Sequence, residues 1–202
     1  MRVQQSSPPP AVAQLHFVRR MKRVLPEIVY SVAASLDGYI ATDDGGVDWL
    51  APFQSTREDH GAGDLHSSVD ALVMGSHTYE FALQLGHWPS PDKPSWVFTH
   101  RDLRVLHPSI TLTSQTPAEV VELLRTRGLR RAWLMGGGEL ATSFRSAGLI
   151  SHFIISVFPV ILGAGIPLFA PTVSPEDRLR FIEAKPFPSG IVQLSYERSP
   201  NA

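Results

Sequence analysis

Three consecutive glycines, Gly136-Gly137-Gly138, follow the apolar run Trp133-Leu134-Met135 and lead into Glu139-Leu140. A strand that opens through glycines into a helix lets backbone approach a phosphate closely. The free N–H groups and positive dipole end of that helix then favour the anion. The same glycines would also serve a tight turn that only packs closely, and both readings stand. A second segment has the same plan, with Val73-Met74 leading through Gly75 into Ser76, His77 and Thr78. Hydroxyls and N–H groups at such a start hold a phosphate or simply cap a helix. Two anion sites in one chain suit a dinucleotide.

Gly136, Gly138 and Ala141 also meet the spacing G-x-G-x-x-A of a Rossmann fingerprint. That fold places an acidic residue about 20 positions later to hold a ribose hydroxyl. No Asp or Glu occurs between Glu139 and Glu176, and too little chain remains for a second half-sheet. The glycines belong to a different arrangement.

Asp48-Trp49 puts a carboxyl beside an aromatic wall that could orient a flat heterocycle. The alternative is that Trp49 covers the core edge and Asp48 caps the next helix. Asp37-Gly38, between two apolar runs, reads as a hairpin turn, with a site role for Asp37 left open. No metal is expected: His60 and His66 are six apart, off helical spacing, and H-E-x-x-H does not occur. Nucleophilic hydrolysis has no support, because G-x-S-x-G is missing and neither Ser35 nor Ser76 has an identifiable base.

The elements that must carry these residues alternate between strand and helix. Apolar runs at Ile28–Ala34, Asp70–Met74, Trp96–Thr99, Ala132–Met135 and Phe153–Leu162 predict buried strands. Thr116-Pro117-Ala118-Glu119 predicts a helix with a capping box and Pro in its first turn, ended by Gly128. Leu140, Phe144 and Ala147 before Gly148, and Tyr79, Ala82 and Leu83 before Gly86, predict two more. Leu179–Glu183 and Ile191–Tyr196 predict two antiparallel strands. The expected fold is α/β with a mixed, mainly parallel sheet in three α-β-α layers.

The chain has 202 residues, enough for one core and a cofactor cleft, with 43% hydrophobic and 18% charged residues. Eighteen Lys and Arg against 19 Asp and Glu give a net charge of −1, so nothing in the composition collects nucleic acid or anionic lipid. No apolar stretch has membrane-span length. The absence of Cys suits a reducing compartment, and a cytoplasmic location is expected. Residues 1–25, with Ser6-Ser7-Pro8-Pro9-Pro10 and a basic Arg19–Arg23, read as a flexible tail before a domain over 26–199. An amphipathic targeting segment is the alternative for that tail, and Met21 is a candidate start.

Ala34-Ser35-Leu36-Asp37-Gly38-Tyr39-Ile40-Ala41, Asp48-Trp49, Met74 to Glu80, Gly136 to Leu140 and Pro159 to Phe169 occur in a matching order. Over residues 27 to 197 the set resembles dihydrofolate-reductase-like proteins related to the C-terminal reductase domain of the bifunctional riboflavin-biosynthesis deaminase-reductase. The resemblance implies an NADPH-dependent reductase. Ala34, Ile40 and Ala41 would lie beside the nicotinamide. Gly75, Ser76, His77 and Thr78 would hold one part of the diphosphate, and Gly136, Gly137, Gly138, Glu139 and Leu140 the other. Thr99, His100 and Arg101 would face the adenosine ribose and its 2′-phosphate. A guanidinium and an imidazole there favour NADPH over NADH, although Ser76 stands where folate reductases often have Arg.

Hydride transfer is the cofactor's chemistry, and reducing a polarised C=N or C=O also needs a proton. Asp48 is the candidate catalytic acid, with Trp49 and Asp37 the candidate substrate-binding residues. Leu50-Ala51-Pro52-Phe53-Gln54-Ser55 lacks the acid on which folate reduction relies, which argues against folate. The expected substrate is a small heterocycle or sugar-linked compound, pteridine-like or riboflavin-precursor-like. Arg57 is the only cation in the loop 45–64, so a phosphorylated substrate finds little there to hold it. The competing reading is an NADP-binding sensor or scaffold without turnover. The long apolar 153–160 run reads equally as a central strand or as lying near an exposed sheet edge that invites pairing, and the family resemblance, which implies dimers, favours a homodimer.

Overall fold

The computed structural model describes residues 24–54, 59–84, 86–173 and 176–199. The expected tail lies outside them, apart from Val24 and Leu25. The core is an eight-stranded sheet in the order β5-β4-β3-β6-β1-β7-β10-β9. These strands are β1 (Glu27–Ser35), β3 (Ala71–Gly75), β4 (Ser95–Phe98), β5 (Ile110–Thr113), β6 (Arg131–Leu134), β7 (His152–Phe158), β9 (Leu179–Pro186) and β10 (Val192–Arg198). The first six in spatial order run parallel, and β10 then pairs antiparallel with both β7 and β9.

Alternate side chains of the central strands feed two cores, as the two-residue period of a strand requires. On one face Ile28, Tyr30, Val73, Ala132 and Leu134 pack with Val120, Val121 and Leu124 of α4 (Pro117–Thr126) and Ala141 and Phe144 of α5 (Gly138–Ser146). On the other, Val29, Leu72, Met74 and Val97 pack with Leu65 of α2 (Ala62–Ser68) and Tyr79 of α3 (Ser76–Gln84). The result is the three-layer α-β-α arrangement expected from the sequence. The capping box of α4 is present in full: Thr116 Oγ1 accepts from the Glu119 amide, and the Glu119 carboxylate accepts from the Thr116 amide at 2.7 Å.

Four differences from the sequence reading bear on the site. The strand expected over 153–162 ends at Phe158, because Pro159 has no N–H to continue the ladder. The segment 45–64 is more than a loop: it carries a 3₁₀ turn (Asp48–Leu50), then α1 (Ala51–Gln54) and the start of α2. Asp37-Gly38 is a turn but not a hairpin, since β2 (Tyr39–Ala41) pairs with β8 (Ile166–Pro167) instead of folding back on β1. The edge strand β5 was missed, although its Ile-Thr-Leu-Thr alternation is the signature of a half-buried strand.

Candidate active site

All six parallel strands end on one side of the sheet, where ligands of open α/β sheets gather. From β3 the chain leaves through α3 to β4 on one side, and from β6 it leaves through α5 to β7 on the other. Because the two crossovers run in opposite directions, their helices cover opposite faces. The cleft between the ends of β3 and β6 is therefore a topological switch point.

The two glycine segments meet there. Gly75 ends β3 and donates its amide to the Gly136 carbonyl at 2.9 Å. A Cβ on Gly75 would stand 3.7 Å from the Gly137 nitrogen, and one on Gly137 would project into open space. The peptide joining Gly136 to Gly137 is cis. Gly137 is the N-cap residue of α5, so the first N–H groups of that helix belong to Gly138, Glu139 and Leu140. Ser76, His77 and Thr78 supply the equivalent first turn of α3. Two helix starts with open backbone between them form a cradle of the kind a diphosphate fills. The side chain of Leu140 packs against the core, so only its backbone is available to the cradle.

Gly138 has a further role. A Cβ on it would collide with the Pro167 carbonyl, and one on Gly165 would collide with the Ala41 carbonyl. The arm 159–169 thus lies pressed between β2 and the start of α5. Leu168 donates to the Gly38 carbonyl at 2.9 Å and accepts from the Tyr30 hydroxyl at 2.8 Å. Asp37 clasps the same arm, its two carboxylate oxygens accepting from the amides of Leu162 at 3.1 Å and Gly163 at 2.7 Å. These bonds and the Ser35 hydroxyl hold its carboxyl below the usual range, with the Ser35 contact the largest influence. Asp37, a candidate substrate residue on sequence grounds, is engaged in holding the arm. Ala34, Ile40 and Ala41 line the same region, with Ala34 and Ala41 buried.

Beside them Phe158, paired in register with Ser35, anchors an aromatic group. Trp49 meets it edge-on at 5.5 Å, Phe53 at 5.1 Å, and His60 at 6.3 Å. Trp49 Nε1 is buried and has no acceptor among the described residues, an unsatisfied donor of the type found at binding sites. Asp48 is exposed at the head of this group. His60 Nε2 lies 3.1 Å from Ser189 Oγ, and Gln193 donates to the His60 carbonyl and to Ser156 Oγ. Sequence reasoning overlooked His60 and Phe158 here, because nothing local links them to Trp49.

On the opposite flank Thr99, His100 and Arg101 line a cleft of about 310 Å³ with Asp102, Leu112, Thr113 and Ser114. Arg101 is held there, its two terminal nitrogens donating to the two Glu80 oxygens at 2.9 and 2.8 Å. A larger cleft of about 580 Å³, lined by Glu27, Gly148, His152 and Arg198 among others, opens at the N-terminal edge of the strands, away from the glycines.

A mixed eight-stranded sheet of this order, with a glycine cradle at its switch point, defines a dihydrofolate-reductase-like fold. A solved dihydrofolate reductase from Enterococcus faecalis, complexed with NADP(H), superposes with a TM-score of 0.61 at 13% identity, over 86% of this chain and 96% of that one. The RibD C-terminal domain profile matches residues 26–193, and the chain belongs to that family. The uncharacterized protein YwjB of Bacillus subtilis (strain 168) is 36% identical over 172 residues, 85% of this chain and 97% of that protein. A protein from Shewanella sp. PV-4 named for riboflavin biosynthesis has a TM-score of 0.76 at 29% identity, covering 86% of this chain and 99% of its own. The riboflavin biosynthesis protein RibD of Mycobacterium tuberculosis is 27% identical over 165 residues, and this chain spans 47% of its length.

Proposed function

We propose that this chain is an NADPH-dependent reductase that delivers hydride to the C=N or C=O of a small heterocyclic or sugar-linked compound, pteridine-like or resembling a riboflavin precursor. The observation that carries the reading is the meeting of Gly75 with Gly136-Gly137, which joins two helix starts into one anion cradle at the switch point. When bound, the cofactor supplies the hydride. The chain's own residues do the rest. The first turns of α3 and α5 hold the diphosphate through backbone N–H groups, and Thr99, His100 and Arg101 face the adenosine end. Ala34, Ile40 and Ala41 form an apolar floor that keeps water from the reacting carbon. The partly exposed indole of Trp49, seated edge-on against the buried Phe158 ring, gives a flat acceptor an aromatic wall to stack on. Asp48, exposed at the mouth, delivers the proton directly or through one water.

Titration with NADPH, followed by oxidation assays against pterins, quinones and ribosylated pyrimidines, tests this reading. Binding with turnover of one acceptor class supports it. Binding with no turnover of any assigns the chain to the sensor or scaffold alternative.

The proposal extends to a homodimer, and β9 is the surface that favours it. All eight residues of this edge strand are exposed, including Leu179, Phe181 and Ile182 at 39%, 55% and 46%. An unpaired edge with apolar side chains of this length invites a second copy. The expected proteins in solution are a wild-type dimer and a Phe181→Lys, Ile182→Glu monomer, distinguished by sedimentation velocity.

A further inference from the structure

We propose that Glu80 limits cofactor selectivity: by holding the Arg101 guanidinium it competes with a 2′-phosphate for that cation, so the preference for NADPH over NADH is held to about tenfold or less. The inference rests on the reductase reading and concerns only the ribose end of the same site.

The geometry is specific. Glu80 lies in the second turn of α3, one turn beyond the residues of the cradle, and Arg101 follows β4. Because β3 and β4 are neighbours with Gly75 opposite Phe98, the loop after β4 lies beside the first turn of α3. Both terminal nitrogens of Arg101 meet both oxygens of Glu80, the fork-to-fork pairing that a phosphate would otherwise take. The Arg101 main chain is fixed as well, its amide donating to Thr99 Oγ1 at 2.9 Å.

The charges near this cleft point the same way. Arg101 is accompanied by two carboxylates, Glu80 against its side chain and Asp102 in the cleft lining, with His77 and His100 beside them. One guanidinium against two carboxylates is a poor receptor for a phosphate dianion. It is a good one for a ribose diol, whose hydroxyls donate to a carboxylate as they do in dinucleotide folds that select NADH. The pair also stabilises its own ionisation: the contact with Arg101 lowers the Glu80 carboxyl below its ordinary value and raises the guanidinium. At neutral pH the carboxylate therefore competes with an incoming phosphate as a full charge. Both side chains are substantially exposed, 51% for Arg101 and 34% for Glu80, so the fold depends little on the pair and its effect falls on the ligand.

The test is fluorescence titration of the full chain with NADPH and with NADH, on the wild type, Glu80→Gln, Glu80→Ala and the double variant Glu80→Gln, Arg101→Ala. The wild-type dissociation constants are expected to agree within about tenfold. Freeing Arg101 in either single variant is expected to raise the preference for NADPH about tenfold, the scale of a hydrogen bond between charged groups. The double variant is expected to lose that gain. A wild type that already prefers NADPH by more than about tenfold overturns the proposal, as does a folded Glu80 variant whose preference is unchanged. Failure of the wild type to bind either nucleotide is a different result, which removes the reductase reading as well.

Discussion

The amide of Gly75 and the carbonyl of Gly136 are joined by a 2.9 Å hydrogen bond that ties the exits of two adjacent parallel strands together. A methyl group at position 75 would make only ordinary contacts, at 3.7 Å and 3.8 Å, with Gly137 and Gly136. It would nevertheless occupy the cradle floor. Gly75→Ala is therefore expected to keep its thermal midpoint and lose about tenfold or more in NADPH affinity, as measured by titration beside a melting curve.

Gly138 makes the opposite case. Its missing side chain is what lets the arm 159–169 rest on the start of α5, and a Cβ there would collide with the Pro167 carbonyl. Gly138→Ala is expected to destabilise the fold by about 1–3 kcal/mol, the usual cost of overpacking, with a matching fall in urea midpoint at an unchanged slope.

Tyr30 is fully buried, donates to the Leu168 carbonyl and packs against Phe169 at 5.3 Å. Burial raises its phenol well above the ordinary value of 10.0. Below that value the phenol is protonated whether the chain is folded or unfolded. Above it the unfolded chain releases a proton that the folded chain keeps, so stability falls as pH rises. Tyr30→Phe is expected to cost about 1 kcal/mol at neutral pH, through an unpaired carbonyl, and to flatten the alkaline decline. Denaturant titrations on both sides of pH 10 measure the two slopes; parallel curves for the two proteins would refute the assignment.

Asp48 is exposed and leads the aromatic group on Phe158. If it delivers the proton, Asp48→Asn lowers kcat about a hundredfold and leaves the NADPH dissociation constant unchanged. Equal turnover in the variant would transfer the role to an ordered water or to another group near Trp49.

Much of this molecule was legible because its signals are local. The capping box at Thr116, the stop at Gly128 and the two strand-glycine-helix segments each follow from a few adjacent residues whose backbone needs are explicit. Sequence could also pair the two glycine segments in purpose, but only the adjacency of β3 and β6 brings them into contact. What escaped depends on distant partners. The carboxylate of Asp37 looked like a turn residue, and its real partners lie 125 and 126 positions away. Arg101 looked like a free cation because Glu80, 21 residues earlier, has no sequence mark as its partner. The strand from Phe153 was read too long because apolar residues continue past Pro159, and composition alone does not show where a ladder stops.

The arm from Pro159 to Phe169 touches both ends of the proposed reaction space, meeting Ala41 on one side and Gly138 on the other, while the residues around Trp49 approach it from outside through Phe158. Evolution or a designer could therefore exchange the 48–60 stretch for another, altering which acceptor is welcomed, without retuning the grip on the nucleotide. Changes within the arm have no such freedom, since any shift there is felt at both ends at once.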